Sequence, residues 1–370
     1  MQPFIPQKLP LDEIDWKSLV PAISKANRSI AYFAGILHTV PNPQVLLSPL
    51  GTQEAVLSSK IEGTEATMGE VFKFEAGEAP QGESRLQDIQ EIRNYRRALI
   101  RAQLFLKERP FNLNMLLELH RILLDSVRGR DKGRGSFRKI QNWIGAPRST
   151  MEHAHFVPPP PERLMEFLDN LEKYYHSDER DPLVQLAVVH AQFEIIHPFV
   201  DGNGRLGRIL VPLFLFEKKL LNRPMFYVSA WLEKHRDEYI DHLRVLGVEQ
   251  GAWDRWISFF LRGLDEQACK NAETALAIKS LYERLKLQVL ELTRSQFAVP
   301  LLDQMFVHPI FQATDLRFSK IEPSRPAIAA LLKILRDAKI IKVLTEGSGR
   351  RSTKYVLAQL LNLCEGRELF

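Results

Sequence analysis

His197-Pro198-Phe199-Val200-Asp201-Gly202-Asn203-Gly204-Arg205-Leu206-Gly207-Arg208 lies between two apolar runs, and its reading decides the fold. Upstream, Asp181-Pro182 has the form of a helix start, the aspartate as cap and the proline at the first helical position. Leu183, Val184, Leu186, Ala187, Val188, Val189 and Ala191 are apolar nearly all round, which predicts a helix buried from several sides. That helix must stop close to His197, because the residue before a proline is pushed out of the α region. The next helix is expected to start around Asn203 to Arg205 and to continue into the apolar run from Ile209 to Phe216.

The types of residue in the stretch point to phosphate chemistry. His197 would sit at the end of a rigid helix, facing a loop. Asp201-Gly202-Asn203-Gly204 can take unusual dihedrals that turn successive N–H groups towards an anion, and the positive end of the following helix adds to the same site. Arg205 and Arg208 share a face of that helix, where cations oppose the dipole by about 0.3–1 kcal/mol each. A polyphosphate would supply the missing negative charge. Asp201 is a suitable hard-oxygen ligand for a magnesium ion that also holds phosphate oxygens. Transfer of a phosphorus-containing group follows, with His197 as general base for an incoming hydroxyl and metal and arginines stabilising the leaving phosphates.

The rest of the chain sets the frame. Its 370 residues suffice for two or three domains. With 45 % apolar and 26 % charged residues it has the composition of an ordinary globular protein rather than a disordered one. A net charge of +5 permits an anionic partner without requiring one. Two cysteines, Cys269 and Cys364, fit neither a disulfide framework nor a metal spacing, so a reducing, cytoplasmic compartment is expected. Neither a basic-then-apolar leader nor a membrane-spanning run is expected.

Residues 1–25 carry Pro3, Pro6, Pro10 and Pro21 and predict an extended arm, with a short buried helix after it at 29–37. A helix over 53–62 would be capped by Gly63, which leaves Glu62 at the negative helix end. Helical spacing also predicts helices at 84–108, 114–127 and 163–175, and two between 253 and 293. The stretch from Arg128 to Gly135 is a glycine-broken basic loop, equally a solvated turn or an anion contact. Between Phe137 and Val157 two short strands joined by residues 146–155 would make a hairpin, whose edge could receive an extended segment of another chain. After Pro300, helices are expected at 301–307, 313–318 and 323–338, then strands at 340–344 and 354–357 around a tip bearing Arg350 and Arg351.

The stretch from His197 to Arg208 resembles the signature of the Fic family, His-Pro-Phe-x-Asp/Glu-Gly-Asn-Gly-Arg-x-x-Arg, with every specified position met. The resemblance implies a mainly α protein with an all-α core that transfers AMP from ATP onto a Ser, Thr or Tyr hydroxyl of target proteins, itself included, and releases pyrophosphate. His197 would be the base and Asp201 the Mg2+ ligand. Gly202, Asn203, Gly204, Arg205 and Arg208 would bind phosphates, with Leu206 and Gly207 in the same nucleotide-binding stretch.

Two further segments resemble parts of that family. The 138–158 hairpin resembles the flap that aligns the target, through Ile140, Trp143 and Ile144. Ser58-Ser59-Lys60-Ile61-Glu62-Gly63 resembles the inhibitory motif Ser/Thr-x-x-x-Glu-Gly/Asn, which implies that Glu62, with Ser58 and Gly63 around it, pairs with Arg208 in the space the γ-phosphate needs. The segment 231–239 resembles a nucleoside-contacting one, with Tyr239 as its aromatic. Ile240 and Gly247 stand where some relatives have a second tyrosine and an asparagine.

The C-terminal order resembles a winged helix-turn-helix domain. Its 323–338 helix offers few exposed cations, chiefly Arg325, Lys333 and Arg336, so DNA ranks below pairing of two copies or docking of a target. The expected organisation is an N-terminal helical region at 1–108 with the inhibitory helix near 53–63, a catalytic core at 109–265, a helical connector at 266–295 and a winged helix at 296–370. The alternatives are a related enzyme that uses another nucleotide or removes AMP, and a nucleotide-sensing DNA-binding regulator.

Overall fold

The computed structural model describes residues 2–127, 133–145, 150–318, 322–348, 352–368 and 370. The basic residues Arg128, Arg130 and Lys132, the flap tip at 146–149, and Arg350 and Arg351 lie outside the described residues. In chain order the helices are α1 (Trp16–Thr39), α2 (Pro43–Leu46), α3 (Ser48–Ile61), α4 (Met68–Glu75), α5 (Glu83–Glu108), α6 (Leu113–Leu123), α7 (Leu164–His176), α8 (Pro182–Ile196), α9 (Asn203–Glu217), α10 (Ser229–Lys234), α11 (Arg236–Val245), α12 (Ala252–Thr293) and α13 (Ala298–Val307). Then follow β1 (Ile310–Gln312), α14 (Arg325–Asp337), β2 (Lys342–Thr345), β3 (Lys354–Val356) and α15 (Ala358–Glu365). The fold is mainly α, as the sequence predicts, with one small three-stranded sheet. Among the described residues no helix is long and apolar enough to cross a membrane.

The chain divides into two compact units. The first comprises Met1–Ala34, Leu57–Gly63 and Arg93–Cys269. Its axis is α8, which packs on α7, α9 and α11. The Asp181 carboxylate accepts the N–H groups of Leu183 and Val184 at 2.9 and 3.0 Å, the cap that the sequence predicts. Thirteen of the fifteen residues of α8 are buried, and each large aliphatic side chain among them contributes about 1.5–3 kcal/mol by leaving water. That burial makes α8 a rigid mount for whatever its last residue carries.

The second unit comprises Gly35–Val56, Thr64–Ile92 and Lys270–Phe370. Its sheet runs β1-β3-β2, all antiparallel, with Ile310 and Lys342 both opposite Val356. β1 packs on α4, and α13 on α2. Ser324 caps α14 through the Ala327 N–H, and Leu331, Leu332 and Leu335 turn its apolar face inwards.

Four expectations need correction. Helix α1 begins at Trp16 and runs through Pro21, so the extended arm is shorter than predicted. Leu19, Ala26, Ile30 and Phe33 are buried at helical spacing, and their burial outweighs the hydrogen bond that Pro21 cannot make. The two helices expected between 253 and 293 are one, α12. Gly263 lies inside it and admits the Trp231 ring: a Cβ there would lie 2.7 Å from ring carbons Cε3 and Cζ3.

Among its described residues the flap is not a two-stranded hairpin but irregular backbone with one antiparallel bridge, Ile144 to Phe156. The four prolines at 158–161 have no N–H to donate, so the ladder cannot lengthen towards its base. In the second unit, the helix predicted at 313–318 is a short 3₁₀ turn, Ala313–Asp315, preceded by β1, and α15 was not anticipated.

Candidate active site

The site is built where α8 ends and α9 begins, with the turn after α3 laid against it. His197 follows α8 in a left-handed conformation, φ 49° and ψ 59°, which costs roughly 1–2 kcal/mol for a residue with a Cβ. Two contacts hold it. Its N–H donates to the Phe193 carbonyl at 3.0 Å, and its own carbonyl accepts from Arg138 Nε at 2.9 Å. Desolvation lowers the His197 pKa to about 4, so the ring is neutral at pH 7 and able to take a proton.

The loop after it is closed from inside. Asn203 accepts the Phe199 N–H at 2.9 Å and donates to the Phe199 carbonyl at 2.8 Å, so its side chain shapes the loop. Gly202 supplies the positive φ of 81° from which α9 starts. His120 fastens the outer side. Gly135 N–H donates to its Nδ1 at 2.9 Å, which assigns the proton to Nε2, and Nε2 donates to the Asp201 carbonyl at 3.0 Å. The ring stacks on Phe199 at 3.9 Å, and burial pushes its pKa down to about 4.

The two arginines of α9 have separate partners. Arg205 reaches Asp201 Oδ1 at 3.3 Å. Arg208 donates to Ser58 Oγ at 2.7 Å, to the Ser58 carbonyl at 2.9 Å and to Glu62 Oε1 at 2.7 Å. Burial works against the charge of Glu62, but Arg208, with Arg205 and His197 behind it, outweighs burial and holds the carboxyl below its usual range. Glu62 also lies against the backbone of Gly204, where a Cβ would come within 2.2 Å of Oε1. The carboxylate therefore covers the start of α9, where an anion would be bound. The end of α3 is pinned by Lys60 to Glu233 at 2.6 Å and by Arg236 Nε to the Ile61 carbonyl at 3.3 Å.

Glu62, Glu194, His197, Gly204, Arg208 and Tyr239 line one cavity of about 410 Å³, within the size range of small-molecule sites. Ile144 of the flap lines it as well. Of the other predicted residues, Leu206 is core and Gly207 packs against Glu194, whose Oε1 is 2.2 Å from where a Cβ would be. Ile140 and Trp143 are exposed at 62 % and 42 %. Gly63 turns the chain after Glu62 with φ 94°. Tyr239 is buried, and its hydroxyl meets His190 Nε2 at 3.0 Å, so its polar end is already occupied.

Sequence reasoning passed over Glu194, His120 and Arg138. Glu194 is the one carboxylate on a mostly apolar helix, one turn before His197, and that oddity was the available signal. Burial raises its pKa to about 7, and among the described residues its Oε1 has no hydrogen-bond partner. His120 and Arg138 carry no such local signal, because the loop carbonyls they serve, those of Asp201 and His197, lie 81 and 59 residues away.

Among the described residues no group of three or more His, Cys, Asp or Glu side chains could hold a metal. The residues present nevertheless fit a magnesium ion that arrives with a polyphosphate. Asp201 is 31 % exposed at the positive end of α9, and one carboxylate with phosphate oxygens and waters makes a usual magnesium shell.

The chain matches the Fic/DOC family N-terminal profile over residues 20–103 and the Fic/DOC family profile over residues 110–215. It is 36 % identical over 100 residues to a probable protein adenylyltransferase of Aquifex aeolicus, a match covering 27 % of this chain and 28 % of the relative. It is 31 % identical over 152 residues to the protein adenylyltransferase Fic of Aedes aegypti, covering 40 % of this chain and 26 % of the relative. The chain thus spans little more than a quarter of the length of these curated relatives. The crystal structure of a Fic family protein from Desulfovibrio desulfuricans has the same fold over 96 % of this chain and 98 % of its own, with a TM-score of 0.57 at 22 % identity. The family profiles together span the Glu62 turn, the 138–158 segment and the loop from His197 to Arg208, and the chain belongs to the Fic/DOC family.

Proposed function

We propose that this chain transfers AMP from ATP to hydroxyl side chains of proteins, its own included, and that Glu62 restrains it. The observation that carries this reading is the Glu62–Arg208 contact of 2.7 Å beside Gly204 and His197 in one cavity. A carboxylate lying across a phosphate-binding helix start, and bonded to that helix's arginine, has the chemistry of a stand-in for a terminal phosphate.

In the active arrangement Arg208 and the N–H groups at the start of α9 bind the phosphate chain that Glu62 now excludes. Arg205 steadies Asp201, which would hold magnesium, an ion that neutralises charge on the phosphates when bound. Neutral His197 takes the proton of the attacking hydroxyl as the new bond to the α-phosphorus forms, and pyrophosphate leaves against Arg205 and Arg208. Ile140, Trp143 and Ile144 offer the target segment an apolar seat. The packing of Tyr239 on His190 supports a role in shaping the nucleoside end of the cavity rather than a polar contact with the base.

Arg208 keeps 1 % of its side chain exposed and Glu62 keeps 41 %. The guanidinium is therefore the fixed member of the pair and the carboxylate the displaceable one. Incubation with ATP labelled at the α-phosphate should give Glu62→Gly self-labelling at least about tenfold faster than the wild type, a usual size for a coupling between two sites. If neither protein transfers label to itself or to a lysate while both bind ATP, the transferase reading fails. The same assay with GTP, CTP and UTP sets the donor.

The order helix, strand, helix, hairpin over α13, β1, α14 and β2–β3 supports reading 296–370 as a winged helix. Arg325, Lys333 and Arg336 of α14 are exposed, but Arg336 is paired with Asp337 at 2.9 Å, which favours docking of a target or a second copy over DNA. Sequence-specific retention of the full chain on DNA at physiological salt would overturn that preference.

A further inference from the structure

We propose that Arg138 is a positioning residue that ties the flap to His197, so that seating a polypeptide and aiming the base are one event. Arg138 is 4 % exposed, and its backbone N–H already bonds the Pro198 carbonyl at 2.9 Å. Its guanidinium donates to the carbonyls of His197 at 2.9 Å and Ile196 at 3.4 Å, the last acceptors of α8. The same group donates to the carbonyls of Pro159 at 2.5 Å and Ile140 at 3.4 Å, one on each side of the flap. A cation at the negative end of α8 is favourable, and burial lowers the pKa of this one only to about 10, so it stays charged at pH 7. Asn142 adds a second tie from flap to loop, donating to the Phe199 carbonyl at 3.0 Å.

The physical need for such a residue comes from His197. Its left-handed backbone is strained, and strain persists only where the surroundings over-determine it. The Phe193 carbonyl holds the N–H side, and Arg138 holds the carbonyl side. A planar fork can meet several carbonyls at set angles, whereas a lysine ammonium is a single point charge. An extended peptide on the flap would press on Ile140 and Ile144, and the backbone of Ile140 is the one Arg138 grips. The catalytic consequence rests on the adenylyltransferase reading, while the contacts stand without it.

Two measurements on the full chain test this. In the Glu62→Gly background, Arg138→Met should lower kcat about 100-fold with the KM for ATP within about threefold, as expected for a small misplacement of the base, and Arg138→Lys should fall between. In the otherwise wild-type chain, Arg138→Met should speed amide exchange in residues 139–145 and 197–199 at least about tenfold and leave 203–217 protected.

A kcat within about threefold of the parent, or unchanged exchange, overturns the role. Loss of protection that spreads through 203–217 also overturns it, since Arg138 would then be a general structural residue. If Arg138→Met does not fold, Arg138→Lys decides by the same two readouts. If the Glu62→Gly parent transfers no AMP, the functional reading fails, and exchange alone still decides whether Arg138 ties flap to loop.

Discussion

The two compact units use their cations in opposite ways. In the first, Arg138, Arg205 and Arg208 are 4 %, 4 % and 1 % exposed, each held by carbonyls or carboxylates around one loop. In the α14 region of the second, Arg325, Lys333 and Arg336 all lie on the solvent side of an amphipathic helix. Burying a charge requires partners placed to fractions of an ångström, so a buried arginine points to a constructed site. An exposed one on an amphipathic helix requires no more than water. The basic composition of the chain is therefore a poor guide to function, and the depth of particular arginines is a good one.

That contrast can be broken at four places, from the largest effect to the smallest. His197→Ala in the Glu62→Gly background should lower AMP transfer by about 10³-fold or more while ATP still binds, which single-turnover labelling and calorimetry would check. Arg208→Ala in the same background should lower transfer by about 10²-fold and weaken ATP binding as well, because a buried guanidinium is lost from the proposed phosphate site. If Arg208→Ala were silent, its burial would mean only packing. Gly263→Ala should destabilise the chain by about 1–3 kcal/mol in urea unfolding, since the new methyl meets the Trp231 ring and not solvent. Lys333→Ala should change stability by less than about 0.5 kcal/mol and leave labelling unaltered. A strong effect at Lys333 would show that the solvent face of α14 is a working surface.

Much of the site was legible because its signals are local. Pro198 stops α8, Asp181 caps it and Gly202 allows the turn into α9, all within a few residues of the groups they place. The flap was half legible: the apolar residues stood out, but a run of four prolines decides against a second strand, and that outcome depends on which donors the ladder needs. Helix α12 is one element where two were expected, and the reason for its Gly263 is a ring 32 positions earlier in the chain, Trp231. His120 and Arg138 were passed over because a histidine or arginine that serves carbonyl oxygens has no spacing rule to betray it.

What the sequence determined by itself is the loop from His197 to Arg208 and the helices on either side, because steric restriction at proline, freedom at glycine and capping by aspartate act over one or two turns. It also placed Glu62 at the unfavourable end of one helix and Arg208 near the start of another. Only the tertiary structure decided that the two meet, across 146 residues, and that Arg138 grips both the flap and the loop that starts at His197. Helical period assigns a side chain to a face; which partner that face finds is set by the packing of α3, α8 and α9, and that packing is a property of the whole first unit.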